Sequence, residues 1–225
     1  MRRIAVIPAG GVGTRFSSPI PKQYIKVLGK ELIAYTLKRF QDCSLVDDII
    51  IPASKSYFNL LQEIKNKNGF TKISLITEGG KERQDSVYKG LKSVQLNEND
   101  LVIVHDAARP LLSEELLINA IKNAEKFDSV VVAVKARDTL IRTSTDVIDY
   151  VDRKNIYYAQ TPQIFRYSIL IRSFEKAIND SFIGTDESMI VKRAGYNVKI
   201  VDGEFVNFKI TTKNDLDIFK KLINN

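Results

Sequence analysis

Five short apolar runs, at residues 4–8, 48–52, 73–77, 101–105 and 129–134, alternate with segments whose apolar residues recur at three- and four-residue spacing. Those segments, 32–40, 57–66, 83–96 and 114–126, predict amphipathic helices. Strands that are apolar throughout have to be buried on both faces, and intervening helices supply the cover. The alternation therefore predicts an α/β fold, Rossmann-like and doubly wound, around a mostly parallel sheet. Ligands of such sheets bind beyond the carboxyl ends of the strands. Three chemistry-bearing segments fall there: a glycine-rich loop after the first run, Glu78-Gly79-Gly80 after the third and His105-Asp106 after the fourth.

The rhythm breaks between residues 138 and 158. Period-two alternation in 139–143 and 147–151, around the polar Ser144-Thr145-Asp146, predicts a β-hairpin. A lone two-stranded hairpin is marginal and has to pack on something. Its apolar residues fall on both faces, so the expectation is an arm that reaches a second copy, giving a homodimer. Helices at 168–179, 186–194 and 214–222 resume the earlier pattern. With no repeat and no Pro/Gly/Ser-rich linker, residues 1–225 read as a single domain.

Composition narrows the partners. No apolar stretch approaches the roughly 20 residues needed to span a bilayer, so no membrane partner is expected. The first strand follows Met1-Arg2-Arg3 directly, leaving no room for a signal peptide, and the reading is a cytoplasmic protein. Cys43 is the single cysteine, which excludes an internal disulfide, and it reads as a small helix-end residue. The net charge of +7 comes from lysines spread along the chain with acids interleaved, whereas nucleic-acid binders concentrate their charge. An anionic small-molecule site accounts for it better than nucleic acid.

The glycine loop reads Ala9-Gly10-Gly11-Val12-Gly13-Thr14-Arg15, and Pro21-Lys22-Gln23 follows it. Glycines let backbone N–H groups approach an anion closely, and Arg15 with Lys22 supplies the charge a triphosphate needs. Phe16 stands where a dinucleotide fingerprint needs its third glycine, and no Gly-Lys-Ser/Thr triplet marks a Walker loop. In Gly80-x-x-Arg83-x-x-Ser86, glycine frees the backbone to face a flat base, and Arg83 and Ser86 are candidate contacts to a pyrimidine edge or a phosphate. His105-Asp106-Ala107-Ala108-Arg109-Pro110 ends a buried strand. The histidine reads as a hydrogen-bonded strand-end residue. Asp106 is a candidate to help hold a Mg²⁺ that rides mainly on substrate phosphates. No His or Cys cluster suggests a transition-metal site.

These strings, with Asp152-Arg153, Gln160-Thr161-Pro162-Gln163, Thr185-Asp186-Glu187 and Asn207-Phe208-Lys209-Ile210-Thr211, resemble the ordered motifs of sugar-phosphate nucleotidyltransferases. Within that superfamily the chain is most similar to the 2-C-methyl-D-erythritol 4-phosphate cytidylyltransferase family. Phe208 departs from the usual Ile, and Gly10 stands where this subgroup commonly has Ala. The resemblance implies transfer of a cytidylyl group from CTP to a sugar-alcohol phosphate, with Mg²⁺ or another divalent cation. It implies Arg15 and Lys22 as catalytic cations. Ala9, Gly10, Gly11, Gly13, Gly80, Arg83, Ser86 and Asp106 would bind the nucleotide. Arg153, Lys209, Thr139 and Arg109 would position the acceptor, with Arg153 acting across the dimer. Ribitol-5-phosphate cytidylyltransferases are the alternative. They share the nucleotide half and the Gly10 form, but tend to read Ser-Asp-Ala in place of Thr185-Asp186-Glu187. A non-catalytic nucleotide-binding module is the alternative of another class. Taken singly, Thr185 reads as a helix N-cap with Asp186 and Glu187 favoured by the helix dipole, and the departure at Phe208 is tolerable if that side chain points away from Lys209 in a strand.

Overall fold

The computed structural model describes residues 1–11, 20–144 and 147–224. Gly13 and Arg15 of the glycine loop, and Thr145-Asp146 of the hairpin turn, lie outside the described residues. In chain order the first half comprises β1 (Arg3–Val6), β2 (Lys26–Val27), β3 (Lys30–Glu31), α1 (Leu32–Asp42), β4 (Asp48–Ala53), α2 (Phe58–Asn68), β5 (Ile73–Glu78), α3 (Arg83–Lys92) and β6 (Leu101–Val104). The second half comprises α4 (Glu114–Phe127), β7 (Ser129–Lys135), β8 (Leu140–Ser144), β9 (Val147–Val151), β10 (Tyr157–Arg166), α5 (Tyr167–Asn179), α6 (Glu187–Arg193), β11 (Lys199–Asp202) and α7 (Lys213–Ile223).

Seven strands form one sheet in the order β11-β7-β10-β6-β1-β4-β5. Side chains alternate between its two faces, as the pleat requires. Leu101 and Ile103 of β6 join Ala5, Leu37, Ile64 and Leu117 under α1, α2 and α4. Val102 and Val104 join Val6, Val87, Leu170 and Ile190 under α3, α5 and α6. Fully burying one such side chain contributes about 1.5–3 kcal/mol, so these two layers hold the fold. A third cluster, of Val27, Leu32, Ala108, Ile210, Leu216 and Phe219, packs α7 beneath three segments that carry motif residues.

The sheet is mixed. β10 enters antiparallel between β6 and β7, while the remaining neighbours are parallel. The sequence hides this strand, because Pro162 argues against a central position. Pro162 is accommodated where the register with β7 shifts between Ala159 and Gln163, and the Thr161–Pro162 peptide is cis. Tyr157 and Tyr158 pair with Lys135 and Val134, so they belong to this sheet and the hairpin is shorter than the expected 138–158. β8 and β9 form a two-stranded sheet of their own, closed at its base where the Ala136 N–H donates to the Ile156 carbonyl at 2.9 Å. Ile141 pairs with Tyr150 on one face and Leu140 with Val151 on the other. Ile141 and Tyr150 are exposed.

Three local expectations are corrected. The helix expected over 83–96 ends at Lys92, where the Ser93 hydroxyl donates back to the Lys89 carbonyl at 2.8 Å and competes with the helical pattern. Asp186, not Thr185, caps α6 by accepting the Met189 N–H at 2.9 Å. Residues 207–211 form no strand: the Asn207 N–H closes a turn on Glu204, and Phe208 packs into the α7 cluster.

Candidate active site

Beyond the end of β1 the chain bends through Ala9-Gly10-Gly11, and neighbouring polar groups fix its backbone. The Ala9 N–H donates to the Pro52 carbonyl at 2.7 Å. The buried Gln23 amide donates to the carbonyls of Ala9 and Gly11 at 2.7 and 2.9 Å, and the Tyr24 hydroxyl donates to Ala9 at 3.0 Å. Tyr24 in turn stacks on Tyr57, with ring centroids 4.2 Å apart. Lys22 opens the same 3₁₀ turn, Lys22–Tyr24, so the braces on Gln23 and Tyr24 also set its place.

The Gly79–Ser86 segment is built the same way. Gly79 donates its N–H to the Ala53 carbonyl at 2.9 Å. The Ser86 hydroxyl accepts the Gly80 N–H and donates to the Glu82 carbonyl, both at 3.0 Å. Its hydrogen bonds therefore shape the turn. A Cβ on Gly80 would lie 2.1 Å from the Asp85 Cβ, so this turn admits no side chain. Gly10, Ser54, Gly79, Gly80 and Lys81 line a groove of about 390 Å³, which Lys55, Lys89 and Glu78 border. Lys55 pairs with Glu78 at 3.1 Å, and Lys89 donates to the Gly79 carbonyl at 3.2 Å.

At the end of β6 the materials change. Asp106 is buried and meets three cations: Arg83 at 3.3 Å on one oxygen, Arg109 and Lys209 each at 3.1 Å on the other. Burial alone would raise its pKa, but Arg83, Lys209 and Arg109 together hold the carboxyl well below the usual range. Arg109 also donates to the Asn207 carbonyl at 2.8 Å, which draws the Lys209 segment against the strand end. Beneath it lies His105, fully buried. A carbonyl oxygen only accepts, so the 3.1 Å contact between His105 Nε2 and Arg109 O places the proton on Nε2. Nδ1 then accepts from the Thr161 hydroxyl at 3.0 Å, and the same hydroxyl oxygen accepts the Asp106 N–H at 3.1 Å. Burial pushes the His105 pKa down to about 4, so the ring is a neutral brace.

Thus Asp106, Arg83, Arg109 and Lys209 come together in one ion network, while Gly10 and Gly80 line the groove. Arg153 and Thr139 stand apart, exposed at the base of the arm, where the Arg153 guanidinium donates to the Arg137 carbonyl. Several partners of the site have no role legible in the sequence, although Gln163 and Glu187 stand within its motif strings. Glu187 is fully buried against Arg83, Gln84 holds Gly184 in the loop before α6, and Gln163 holds Ser188 in the first turn of α6. A usable signal exists: Gln84 shares a buried helical stripe with Val87 and Leu91, and Glu187 with Ile190 and Val191. Polar residues on an apolar stripe are worth questioning.

Among the described residues, no group of three or more His, Cys, Asp or Glu side chains is placed to hold a metal ion. Asp106 is ionised, but both its oxygens already serve Arg83, Arg109 and Lys209, so a hard cation here would be carried mainly by nucleotide phosphates rather than by the protein. No helix among the described residues is long and apolar enough to cross a membrane.

The family model for IspD, 2-C-methyl-D-erythritol 4-phosphate cytidylyltransferase, matches residues 3–224. The chain is 39% identical to the protein of that name from Syntrophus aciditrophicus, over 95% of this chain and 92% of the relative. It is 38% identical to the Clostridioides difficile protein of the same name, over 97% and 92%. The crystal structure of 4-diphosphocytidyl-2C-methyl-D-erythritol synthase from Anaerococcus prevotii superposes with a TM-score of 0.86 at 29% identity, covering 100% of this chain and 96% of that one. The Francisella tularensis 2-C-methyl-D-erythritol 4-phosphate cytidylyltransferase structure gives 0.83 at 30% identity, covering 98% and 99%.

Proposed function

The chain belongs to the 2-C-methyl-D-erythritol 4-phosphate cytidylyltransferase family, and from that membership we propose that it joins CTP to 2-C-methyl-D-erythritol 4-phosphate in the non-mevalonate route to isoprenoid precursors. A phosphate oxygen of the acceptor bonds to the α-phosphorus of CTP as the bond from that phosphorus to the bridging oxygen breaks. The products are 4-diphosphocytidyl-2-C-methyl-D-erythritol and pyrophosphate. Two polyanions have to meet, so positioning and charge neutralisation carry the rate. The observation that supports this best is the Asp106 network, which gathers Arg83, Arg109 and Lys209 at the strand end, with Arg83 opening the helix that follows the glycine turn at Gly80.

In this reading Arg15 and Lys22 stabilise charge on the α-phosphate and the departing pyrophosphate. Ala9, Gly10, Gly11 and Gly13 present backbone to the phosphates, and Gly80, Arg83 and Ser86 shape the base side. Lys209, Arg109, Arg153 and Thr139 position the acceptor phosphate. Asp106 is the candidate carboxylate toward a Mg²⁺ or another divalent cation, which would ride mainly on the nucleotide phosphates and would supply further charge neutralisation. The chain acts as one cytoplasmic nucleotidyltransferase domain over 1–225, without nucleic-acid or membrane partners. It works as a homodimer in which the arm carries Arg153 to the neighbouring site. The exposed Ile141 and Tyr150 on that arm support the pairing.

Purified protein given CTP, Mg²⁺ and either 2-C-methyl-D-erythritol 4-phosphate or ribitol 5-phosphate should release pyrophosphate with the first. Release only with ribitol 5-phosphate, or with neither, would overturn the reading.

A further inference from the structure

Glu187, the first residue of α6, is completely buried, and a buried carboxylate is costly unless paired. Its two oxygens accept from Arg83 NH1 at 2.6 and 2.5 Å. The Nε of the same guanidinium donates to Asp106 at 3.3 Å. Arg83 is therefore shared between carboxylates on two different elements. Burial works against charge on both partners, pushing the Glu187 carboxyl up and opposing the Arg83 guanidinium, and it is the close contact between them, with Asp106 behind, that holds the pair ionised.

Asp106 has competing claims on it. Its second oxygen serves both Arg109 and Lys209, at 3.1 Å each. A guanidinium released from Glu187 would favour bidentate pairing with a carboxylate, and Asp106 is the one already in contact. Lys209 would then lose its anchor. We propose that Glu187 is a positioning residue for the acceptor half: by restraining Arg83 it leaves the second Asp106 oxygen to Lys209 and Arg109, and so fixes the lysine ammonium that meets the acceptor phosphate. The proposal rests on the cytidylyltransferase reading above.

The backbone around Glu187 is held by other side chains. Gln84 accepts the Gly184 N–H at 2.8 Å and donates to the Phe182 carbonyl at 3.1 Å. Gln163 accepts the Ser188 N–H at 2.8 Å. An isosteric loss of charge at Glu187 should accordingly leave α6 in place.

The test is Glu187→Gln, with Arg83→Gln and the double variant. Supporting residues of this kind typically contribute about 10–100-fold, so kcat/KM for the acceptor should fall by that factor in Glu187→Gln while the Kd for CTP changes by less than about threefold. In the Arg83→Gln background, adding Glu187→Gln should change acceptor kcat/KM by less than about twofold, because the first change has already removed the guanidinium that Glu187 restrains. A Glu187→Gln enzyme with near-wild-type acceptor kcat/KM, or full multiplication of the two losses, would overturn the proposal. If Glu187→Gln alone fails to fold, the double variant against Arg83→Gln decides, and a further loss there overturns it. A crystal structure of Glu187→Gln reads the same idea without the reaction: Arg83 should sit bidentate on Asp106, with Lys209 displaced. An unmoved Arg83 and Lys209 would overturn the inference even if the wild type proved inactive, whereas an inactive wild type with the displacement present would count against the activity alone.

Discussion

Around Gly10 and Gly80 the site is walled by backbone; around Asp106 it is walled by side chains. The first half holds its shape through carbonyls and N–H groups braced by Gln23, Tyr24 and Ser86, and it ends in an open groove. The second packs two carboxylates and three cations on and around Asp106 into a largely buried network. The contrast teaches where each half is vulnerable. Backbone walls fail through sterics, as the 2.1 Å approach at Gly80 indicates, whereas ion networks fail through charge. Buried ions also couple to one another, so a single change there spreads further.

The largest effect expected belongs to the first half. Groups aimed at developing charge contribute about 10²–10³-fold in rate, so Lys22→Ala should lower kcat by at least that factor with a smaller change in CTP binding. Near-normal turnover in a purified, folded variant would break the division of labour drawn here.

Next comes acid stability, which should separate the halves. The buried His105 ring has a pKa of about 4 against an ordinary 6.5. Between those values the unfolded chain binds the proton and the folded chain does not, so folding stability falls as pH drops from 6.5 towards 4. The contribution present above pH 6.5 and lost by pH 4 amounts to roughly 3 kcal/mol at most. Asp106, held low by its cations, adds a loss in the same direction at still lower pH. Urea unfolding at several pH values should show this slope in the wild type and a flatter one in His105→Asn. Gly80→Ala, a change in the backbone half, should lower stability without altering the slope. An equal slope in His105→Asn would assign the acid sensitivity elsewhere.

A smaller effect should mark the acceptor side. Hydrogen bonds to charged groups contribute about 1.5–3 kcal/mol, so Lys209→Ala and Arg153→Ala should each raise the acceptor KM by roughly 10–100-fold. Calorimetry should find the CTP Kd nearly unchanged in both, and a large loss of CTP affinity would contradict the separation. The smallest effect on the folded chain is expected on the arm. Tyr150→Ser alters an exposed residue, so unfolding stability should move by no more than about 0.5 kcal/mol. Light scattering should nevertheless register a weakened dimer, and an unchanged association constant would detach the arm from assembly.

Much of this architecture is legible in the chain itself. Runs such as Val102–Val104 have to be covered on both faces, and the alternating helices that cover them carry matching apolar stripes. Local burial writes a local pattern. The glycine turns are readable for the same reason, since their chemistry lies within a few residues. Asp106 is readable as a strand-end carboxylate beside Arg109, though not as the partner of Arg83 and Lys209. Tertiary structure alone decided the rest. Pro162 signals against a central strand, yet β10 occupies the middle of the sheet because a register shift there dispenses with its missing N–H. Glu187 reads as a favourable first-turn charge until the start of α6 meets the start of α3, when it becomes the buried partner of an arginine 104 residues away. Periodicity states which residues are buried. Only the meeting of distant elements states which charge each buried residue meets, because Coulomb attraction and desolvation depend on neighbours in space rather than in sequence.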